Sequence, residues 1–290
     1  MKKFKILIPV YNDWQSLSKL LCNIDNKIEN LTHNISIIII DDASTFDRQL
    51  EIENLSNINS IKILSMKENK GHARCIATGL KYIFEKEEFD YVIPMDGDGE
   101  DRPEEIKNYL EKIKNYPNRT IVGERVKRSE SFIFKICYFF HKIITYTFTG
   151  KFIKFGNFTC LTKLTVKKLI EEKATWSSFS GSLAKTENNL IKSPSIRGPR
   201  YFGPSKMSFL NLVKHSLAII AVFNSGVIFR SIAFYAIYLI IIADYISVIT
   251  AIPLALIIIF GLVILKISGR ENMTEFNNSV SNIEDIENLK

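Results

Sequence analysis

The segment YVIPMDGDGEDRPEE, residues 91–105, joins an apolar run to a cluster of carboxylates. Tyr91 to Met95 is a continuous apolar run of strand length, which is typical of a strand covered by helices on both faces. Pro103 suits the first turn of a helix, and Glu104 and Glu105 are favourable at the positive N-terminal end of that helix. The segment therefore predicts a buried strand, an acidic loop and the start of a helix.

The same alternation of apolar strands and amphipathic helices fills the sequence before this segment. Strands are predicted over Lys5 to Val10, Ile35 to Ile40 and Ile61 to Ser65, and helices around Trp14 to Asn26 and His72 to Phe84. This order predicts an α/β domain with a Rossmann-like, doubly wound and mostly parallel sheet that carries helices on both faces. Ligands bind such sheets outside the carboxyl ends of the strands.

Polar clusters follow three of the predicted strands at that edge. They are PVYND at residues 9–13, DDAS at residues 41–44 and DGD at residues 96–98. One such cluster is usually a helix cap or a turn. Three clusters that independent strands deliver to one edge instead indicate a binding site.

The acidic loop suits a phosphate-bound metal better than a calcium site of the EF-hand type. An EF-hand requires Gly at its sixth position and Glu at its twelfth, but counting from Asp96 these positions hold Asp101 and Lys107. Asp96 and Asp98 are two residues apart, so an extended backbone points both carboxylates to one side. Such a pair can hold Mg²⁺ or Mn²⁺ and leave coordination positions for a diphosphate.

Charge and cysteine content narrow the partners and the compartment. The net charge is +7, yet no basic run is interleaved with stacking aromatics, which argues against nucleic acid and favours anionic lipid or phosphates. The four cysteines form no CxxC pair, which argues against a disulfide framework or a zinc site and favours a reducing compartment. The sequence does not determine the oligomeric state, and a homo-oligomer is one of the possible states.

Two apolar segments, residues 226–243 and 247–265, are each long enough to cross a bilayer and predict a hairpin. Positive charges flank the hairpin and none lies in its turn; they are Lys206, Lys214, Arg230, Lys266 and Arg270. By the positive-inside rule, both ends of the hairpin and the N-terminal domain are expected in the cytoplasm. The predicted organisation is a globular domain over 1–206, a juxtamembrane helix over 207–225, two spans within 226–268 and a flexible tail over 269–290.

The motifs PVYND, DDAS, NKGHA, DGDGED and RGPRYFGPSK, in this order, resemble those of the family 2 glycosyltransferases of the GT-A fold. The resemblance is greatest to membrane-attached dolichyl-phosphate or polyprenyl-phosphate sugar transferases, and it spans roughly Lys5 to Lys214. It implies a GT-A domain followed by the transmembrane hairpin. It also implies a nucleotide-sugar donor and a lipid acceptor in the phospholipid bilayer.

Carried over by position, the resemblance implies a nucleoside pocket at the first two clusters. Pro9, Tyr11 and Asp13 would line this pocket. Asp42, with Asp41 beside it, would contact the base or the ribose of the nucleotide.

The resemblance also divides the acidic loop by role. Asp96 would lie near the sugar and the diphosphate, and Asp98 would hold the metal. Glu100 stands where many lipid-phosphate members carry Gln, and it is a further candidate metal ligand. The form DGDGED differs from the commoner DADLQ, so the resemblance does not identify the sugar.

The acceptor decides which further residues the reaction needs. A hydroxyl acceptor requires a general base, and Glu187 is the candidate in the second half of the chain. A phosphate acceptor is already anionic and instead needs positive charge around the two phosphates. The basic candidates for this task are Arg125, Arg128, Arg197, Arg200 and Lys206. The phosphate acceptor is the preferred interpretation, ahead of the hydroxyl acceptor and of a nucleotide-sugar binding protein without turnover.

Overall fold

The structure is a computed structural model that describes residues 1–52, 54–127, 132–204 and 209–290. Its strands are β1 (Lys3–Val10), β2 (Asn34–Asp41), β3 (Ser60–Met66), β4 (Tyr91–Pro94), β5 (Ile121–Lys127), β6 (Phe155–Thr162), β7 (Ile191–Ile196) and β8 (Ile283–Asn288). Its helices are α1 (Trp14–Ile28), α2 (His72–Lys86), α3 (Glu104–Asn115), α4 (Phe132–Thr149), α5 (Lys163–Glu171), α6 (Phe179–Thr186), α7 (Phe209–Ala221), α8 (Asn224–Ile242), α9 (Val248–Ser268) and α10 (Met273–Asn277).

The eight strands form one mixed sheet in the order β7-β5-β6-β4-β1-β2-β3-β8. The run β4-β1-β2-β3 is parallel throughout, whereas β6 pairs antiparallel with both β4 and β5. Each strand predicted from the apolar runs is present, and the helices α1 and α2 begin at the predicted residues. The predicted α/β fold is confirmed.

Helices cover both faces of the sheet because the parallel strands bury their side chains on both sides. On one face α1 and α3 pack against alternate strand residues such as Ile6 and Ile8. On the other face α2, α5 and α6 pack around residues such as Leu7 and Val92. The close approach of α2 to β1 requires Gly79, since a Cβ there would lie 2.3 Å from the Leu7 Cδ1 atom.

The sheet order defines a crevice beside β1. Strand β1 is hydrogen-bonded to β2 on one side and to β4 on the other, so the chain reverses its direction of winding between β1 and β4. Ligands of open α/β sheets bind at such a switch point, outside the carboxyl ends of the strands. The segment after β1 and the acidic loop after β4 therefore face the same crevice.

The segment after the hairpin corrects one prediction. A flexible tail was predicted over residues 269–290 because that segment is polar and net acidic. The structure instead contains α10 and then β8, which pairs antiparallel with β3 at the edge of the sheet. Pairing at an edge relies on backbone hydrogen bonds, so a polar strand with outward charges serves there.

Two C-terminal helices, α8 and α9, form the hairpin and are joined by a short helical turn at Ala243–Tyr245. They lie in the two stretches of the described chain that are long and apolar enough to cross a membrane. Their outward side chains include Phe229, Ile240 and Ile249, which are 74%, 77% and 78% exposed. A broad apolar exterior of this kind suits hydrocarbon rather than water, in agreement with a membrane location.

Candidate active site

A loop after β7 closes over the crevice and joins two of the predicted clusters. Arg200 donates from Nη2 to Asp13 Oδ2 at 2.7 Å and from Nη1 to Asp98 Oδ2 at 2.6 Å. Asp13 follows β1 and Asp98 follows β4, so one guanidinium bridges the ends of two neighbouring strands. We call residues 197–203 the arginine loop and residues 96–101 the acidic loop.

The acidic loop keeps its shape through its own hydrogen bonds. Asp101 Oδ2 accepts from the Asp96 backbone N–H at 2.9 Å, and Asp98 Oδ1 accepts from the Glu100 N–H at 2.9 Å. Gly99 has a φ of +88°, a conformation that side-chain-bearing residues rarely adopt. A Cβ on Gly99 would also lie 2.5 Å from the Tyr201 ring. This glycine therefore permits both the turn and the contact with the arginine loop.

Backbone contacts fix the arginine loop against the acidic loop. The Gly198 N–H donates to the Glu100 carbonyl at 2.8 Å, and the Tyr201 N–H donates to the Asp98 carbonyl at 2.9 Å. Arg197 forms an ion pair with Glu100 and lies 4.0 Å from Asp96 Oδ2. The two arginines of one loop thus neutralise carboxylates of the other.

Glu105 links the predicted helix start to this arrangement. It lies in the first turn of α3, is buried, and accepts at Oε1 from the Ile196 N–H at 2.8 Å. Ile196 ends β7 immediately before the arginine loop. Glu105 therefore holds the base of that loop, a role that the sequence did not indicate.

Asp96 contacts two polar residues that the sequence motifs did not identify as site residues. His72 Nε2 lies 3.2 Å from Asp96 Oδ1, and Asn157 Nδ2 donates to the same oxygen at 3.2 Å. His72 is the first residue of α2 and belongs to the NKGHA motif, and this motif is the sequence feature that could have indicated a role for His72 in the site. Asn157 lies within β6, and no local pattern distinguishes it from other strand residues.

The three aspartates of the acidic loop have different pKa values because their neighbours differ. Burial would raise the pKa of Asp96, but His72 and Arg197 stabilise its charge and hold the pKa below the usual range. Burial, together with the Asp96 charge, raises the pKa of Asp101 to about 8. The same two causes raise the pKa of Asp98 above its ordinary value. Asp96 is therefore the most stable anion of these three.

At the carboxyl end of β2, two carboxylates shape the loops. Asp42 accepts from the Lys70 N–H at 2.7 Å and from the Gly71 N–H at 2.9 Å, which positions the loop before α2. Asp41 Oδ1 accepts from the Ser44 N–H at 3.0 Å. Both aspartates are buried, whereas Tyr11 is 44% exposed at the mouth of the crevice.

The other predicted residues have different positions. Pro9 is buried in β1 opposite Ile40 of β2. Arg125 lies on β5 against Gly156 and helps to stabilise the charge of Asp101. The predicted residues Arg128 and Lys206 lie outside the described residues.

Glu187 lies at the opposite end of β4 from the acidic loop. Its Oε1 atom accepts from Thr165 Oγ1 at 3.1 Å and from Lys168 Nζ at 2.9 Å. Thr165 bonds Thr162, which pairs with the first residue of β4. Glu187 is therefore beside the amino end of β4, whereas the acidic loop follows its carboxyl end. This position argues against Glu187 as the base for a hydroxyl acceptor.

The chemistry of the acidic loop fits a hard divalent cation. Asp96, Asp98 and Glu100 supply carboxylate oxygens within one loop, the ligand type that Mg²⁺ and Mn²⁺ prefer. Within the described residues, no three His, Cys, Asp or Glu side chains are already arranged to hold a metal ion. In this structure Arg197 and Arg200 neutralise the charge of these carboxylates instead.

The chain matches the model of glycosyl transferase family 2 over residues 5–163 and belongs to that family. This is the family that the motifs resembled. A related protein is the undecaprenyl-phosphate 4-deoxy-4-formamido-L-arabinose transferase of Klebsiella pneumoniae, 27% identical over 221 residues. That alignment covers 73% of this chain, and the chain spans only 65% of the length of the relative.

Solved structures share the fold. Glucosyl-3-phosphoglycerate synthase of Mycobacterium tuberculosis, in complex with Mn²⁺, UDP-glucose and phosphoglyceric acid, has a TM-score of 0.54 and 12% identity. The similarity covers 78% of this chain and 80% of that one. TarS 1–349 of S. aureus, in complex with UDP-GlcNAc, has a TM-score of 0.51 and 15% identity, covering 97% and 89% of the two chains. The predicted GT-A fold is confirmed.

Proposed function

We propose that this glycosyltransferase moves a sugar from a nucleotide diphosphate onto polyprenyl phosphate or a related membrane lipid. The observation that carries the proposal is the closure of the acidic loop by Arg197 and Arg200 at the switch point of the sheet, in a chain that also carries an apolar hairpin. Carboxylates and guanidinium groups that neutralise each other without ligand are suited to receive a metal and a diphosphate. The hairpin would bring this site to the membrane surface.

The donor would enter beside β1. Tyr11 and Asp13 offer an exposed ring and a carboxylate near the mouth of the crevice, and Asp42 shapes the loop that forms its other wall. The diphosphate would lie between the acidic loop and the arginine loop. Arg200, now shared between Asp13 and Asp98, would turn part of its hydrogen bonding to a phosphate oxygen.

The acceptor phosphate would attack the anomeric carbon of the sugar from the face opposite the leaving diphosphate. One carbon–oxygen bond forms while the bond to the nucleoside diphosphate breaks, so the configuration at that carbon inverts. The attacking oxygen is already anionic and no proton has to be removed, which agrees with the distance of Glu187 from the site. Positive side chains would stabilise the charge that develops on the leaving diphosphate; Arg125, Arg197 and Arg200 are the described candidates, with Arg128 and Lys206 outside the described residues.

A divalent cation, Mg²⁺ or Mn²⁺, would be held by Asp98 with Asp96 and Glu100. When bound it supplies charge neutralisation for the leaving diphosphate. His72 and Asn157 would keep Asp96 oriented through their contacts with its Oδ1 atom. The solved relative with Mn²⁺ and UDP-glucose supports this assignment by fold only.

The membrane arrangement supports a lipid acceptor. The name of the Klebsiella relative specifies undecaprenyl phosphate for that protein, and the resemblance extends over most of this chain. We place the catalytic domain on the cytoplasmic face, because the flanking positive charges lie at both ends of the hairpin. Nucleotide sugars and the lipid acceptor would then meet at one surface.

The test is incubation of membranes containing the full chain with a panel of labelled nucleotide sugars, with and without EDTA, followed by lipid extraction. Metal-dependent label in the organic phase is the expected result. Label confined to aqueous glycan would replace the proposal with transfer to a hydroxyl. Tight donor binding by calorimetry, with no labelled product from any membrane lipid, would instead identify a binding protein without turnover.

A further inference from the structure

A small cavity lies between the catalytic domain and the end of the hairpin. Its volume is about 130 Å³, and its wall is formed by the start of α2, the short helical turn at Lys173–Trp176 and the segment after α9. The polar and aromatic side chains that line it are Lys70, His72, Arg74, Trp176, Ser177 and Arg270. The residues lining it include no carboxylate.

The basic side chains of this cavity are held in different ways. Glu275 of α10 lies 3.4 Å from Lys70 Nζ and 3.6 Å from Arg74 Nη2, and it accepts from Trp176 Nε1 at 2.9 Å. Arg74 also stacks over the Trp176 ring at 5.2 Å. These contacts fix two cations and one aromatic ring in the wall before any ligand binds.

Arg270 provides the unbalanced charge. Lys70 also pairs with Glu68, at 2.7 Å, so that Glu68 and Glu275 together balance Lys70 and Arg74. Among the ion pairs of the described residues, none involves Arg270, whose side chain is exposed at the cavity. Its planar guanidinium can donate two parallel hydrogen bonds, the geometry that matches a phosphate.

The cavity also lies at a boundary. Arg270 follows α9 by two residues, so it stands where the apolar hairpin ends. His72 on the opposite wall contacts Asp96 of the acidic loop. A group in this cavity would therefore lie between the membrane surface and the donor site.

We infer that this cavity binds a phosphate group presented by a membrane lipid. The volume is enough for about four water molecules, which accommodates a phosphate. An acyl or prenyl chain attached to that phosphate would extend from the open side along the hairpin. The inference concerns binding at a site that contains none of the acidic or arginine loop, so its test does not require the proposed reaction to occur.

Trp176 provides a direct readout of binding. The chain has two tryptophans, so the full chain with Trp14→Phe in detergent leaves Trp176 as the single tryptophan, and selective tryptophan excitation then reports on Trp176 alone. It is titrated with inorganic phosphate and, as an ionic-strength control, with chloride. Mixed micelles that carry phosphatidic acid, phosphatidylglycerol or phosphatidylcholine are titrated in the same way. Calorimetry on the chain with both tryptophans repeats the phosphate titration.

Phosphate is expected to change the fluorescence of Trp176 in a saturable manner. The two anionic lipids are expected to compete with phosphate, whereas phosphatidylcholine is expected not to compete. Arg270→Gln should weaken phosphate binding about tenfold, the worth of one hydrogen bond to a charged group. Lys266→Gln is the matched control, since Lys266 lies in the last turn of α9, four residues before Arg270, and does not line the cavity.

Three results would overturn the inference. The cavity is not a phosphate site if phosphate and chloride act alike at equal ionic strength. If Arg270→Gln and Lys266→Gln weakened phosphate binding equally, the binding would be due to general surface charge and not to this cavity. Saturable phosphate binding that no anionic lipid displaces would assign the cavity to a free phosphate and contradict the lipid source.

Discussion

Asp98 receives hydrogen bonds from two directions, one from the Glu100 backbone within its own loop and one from Arg200 of the arginine loop. The other carboxylates of the acidic loop have different partners. Asp96 contacts His72 and Asn157, and Asp101 turns back onto the Asp96 backbone. Residues that look equivalent in the sequence are therefore chemically distinct in the fold.

Replacement of Asp98 tests its assignment to the metal and the diphosphate. Asp98→Asn keeps the size of the side chain but removes its charge, so transfer should fall by about 100-fold or more. Rates are measured with the labelled nucleotide sugar identified above, over a range of Mg²⁺ or Mn²⁺. Glu104→Gln is the matched control, because Glu104 is exposed in the first turn of α3 and pairs with Arg102, which belongs to neither loop. Full activity in Asp98→Asn would remove this residue from the mechanism.

Glu187 allows the opposite test. It pairs with Lys168 at the amino end of β4, so Glu187→Gln should leave the transfer rate within about twofold, since changes away from a site and from its contacts usually have small effects. The comparison is made at saturating donor and acceptor. A large fall in kcat with unchanged donor affinity would favour a hydroxyl acceptor after all.

At the scale of elements, the parallel strands are joined by a carboxylate as well as by their backbone. Glu87, just after α2, accepts from Lys5 Nζ of β1 at 2.7 Å and also pairs with Lys62 of β3. Its side chain is only 12% exposed. Burial would raise the pKa of Glu87, but hydrogen bonds from the two lysines outweigh that effect and lower the pKa.

The lowered pKa predicts how stability depends on pH. The contribution of Glu87 is complete above the ordinary glutamate pKa of about 4.3 and is lost as the pH falls through the lowered value. Glu87→Gln should reduce the free energy of unfolding by about 2 kcal/mol at neutral pH, because two partly buried lysines lose their partner.

Thermal unfolding in detergent at several pH values measures this effect. The midpoints of the native chain and of Glu87→Gln should converge as the pH falls below 4.3, the ordinary glutamate value. The control is Glu88→Gln, since Glu88 is exposed and pairs with Lys3; this change should leave the midpoint unaltered. A constant difference across the whole pH range would show that charge pairing is not the cause.

Across the whole molecule, the chain leaves the catalytic domain, passes through the hairpin and returns to the same sheet. Strand β8 pairs with β3, and α10 contacts the catalytic domain through Glu275. The segment before α8 and the segment after α9 therefore both belong to the domain that contains the sheet. The turn at Ala243–Tyr245 joins the opposite ends of the two helices.

This arrangement predicts the topology. An epitope inserted between Tyr245 and Ile246 should be accessible only from the side of the membrane opposite an epitope placed after Lys290. Antibody binding to oriented vesicles, before and after permeabilisation, measures it. Accessibility of both epitopes from one side of sealed vesicles would show that the hairpin does not span the bilayer.

Local patterns in the sequence determined the parallel strands, the helix starts, the apolar hairpin and the three polar clusters at the sheet edge. They did so because apolar period and strand-end chemistry are properties of neighbouring residues. Tertiary structure alone decided that Arg200 bridges Asp13 and Asp98, that His72 and Asn157 meet at Asp96, and that β8 completes the sheet. Each of these contacts joins residues far apart in the chain, and folding brings them together through sheet order and loop closure, which no local pattern encodes.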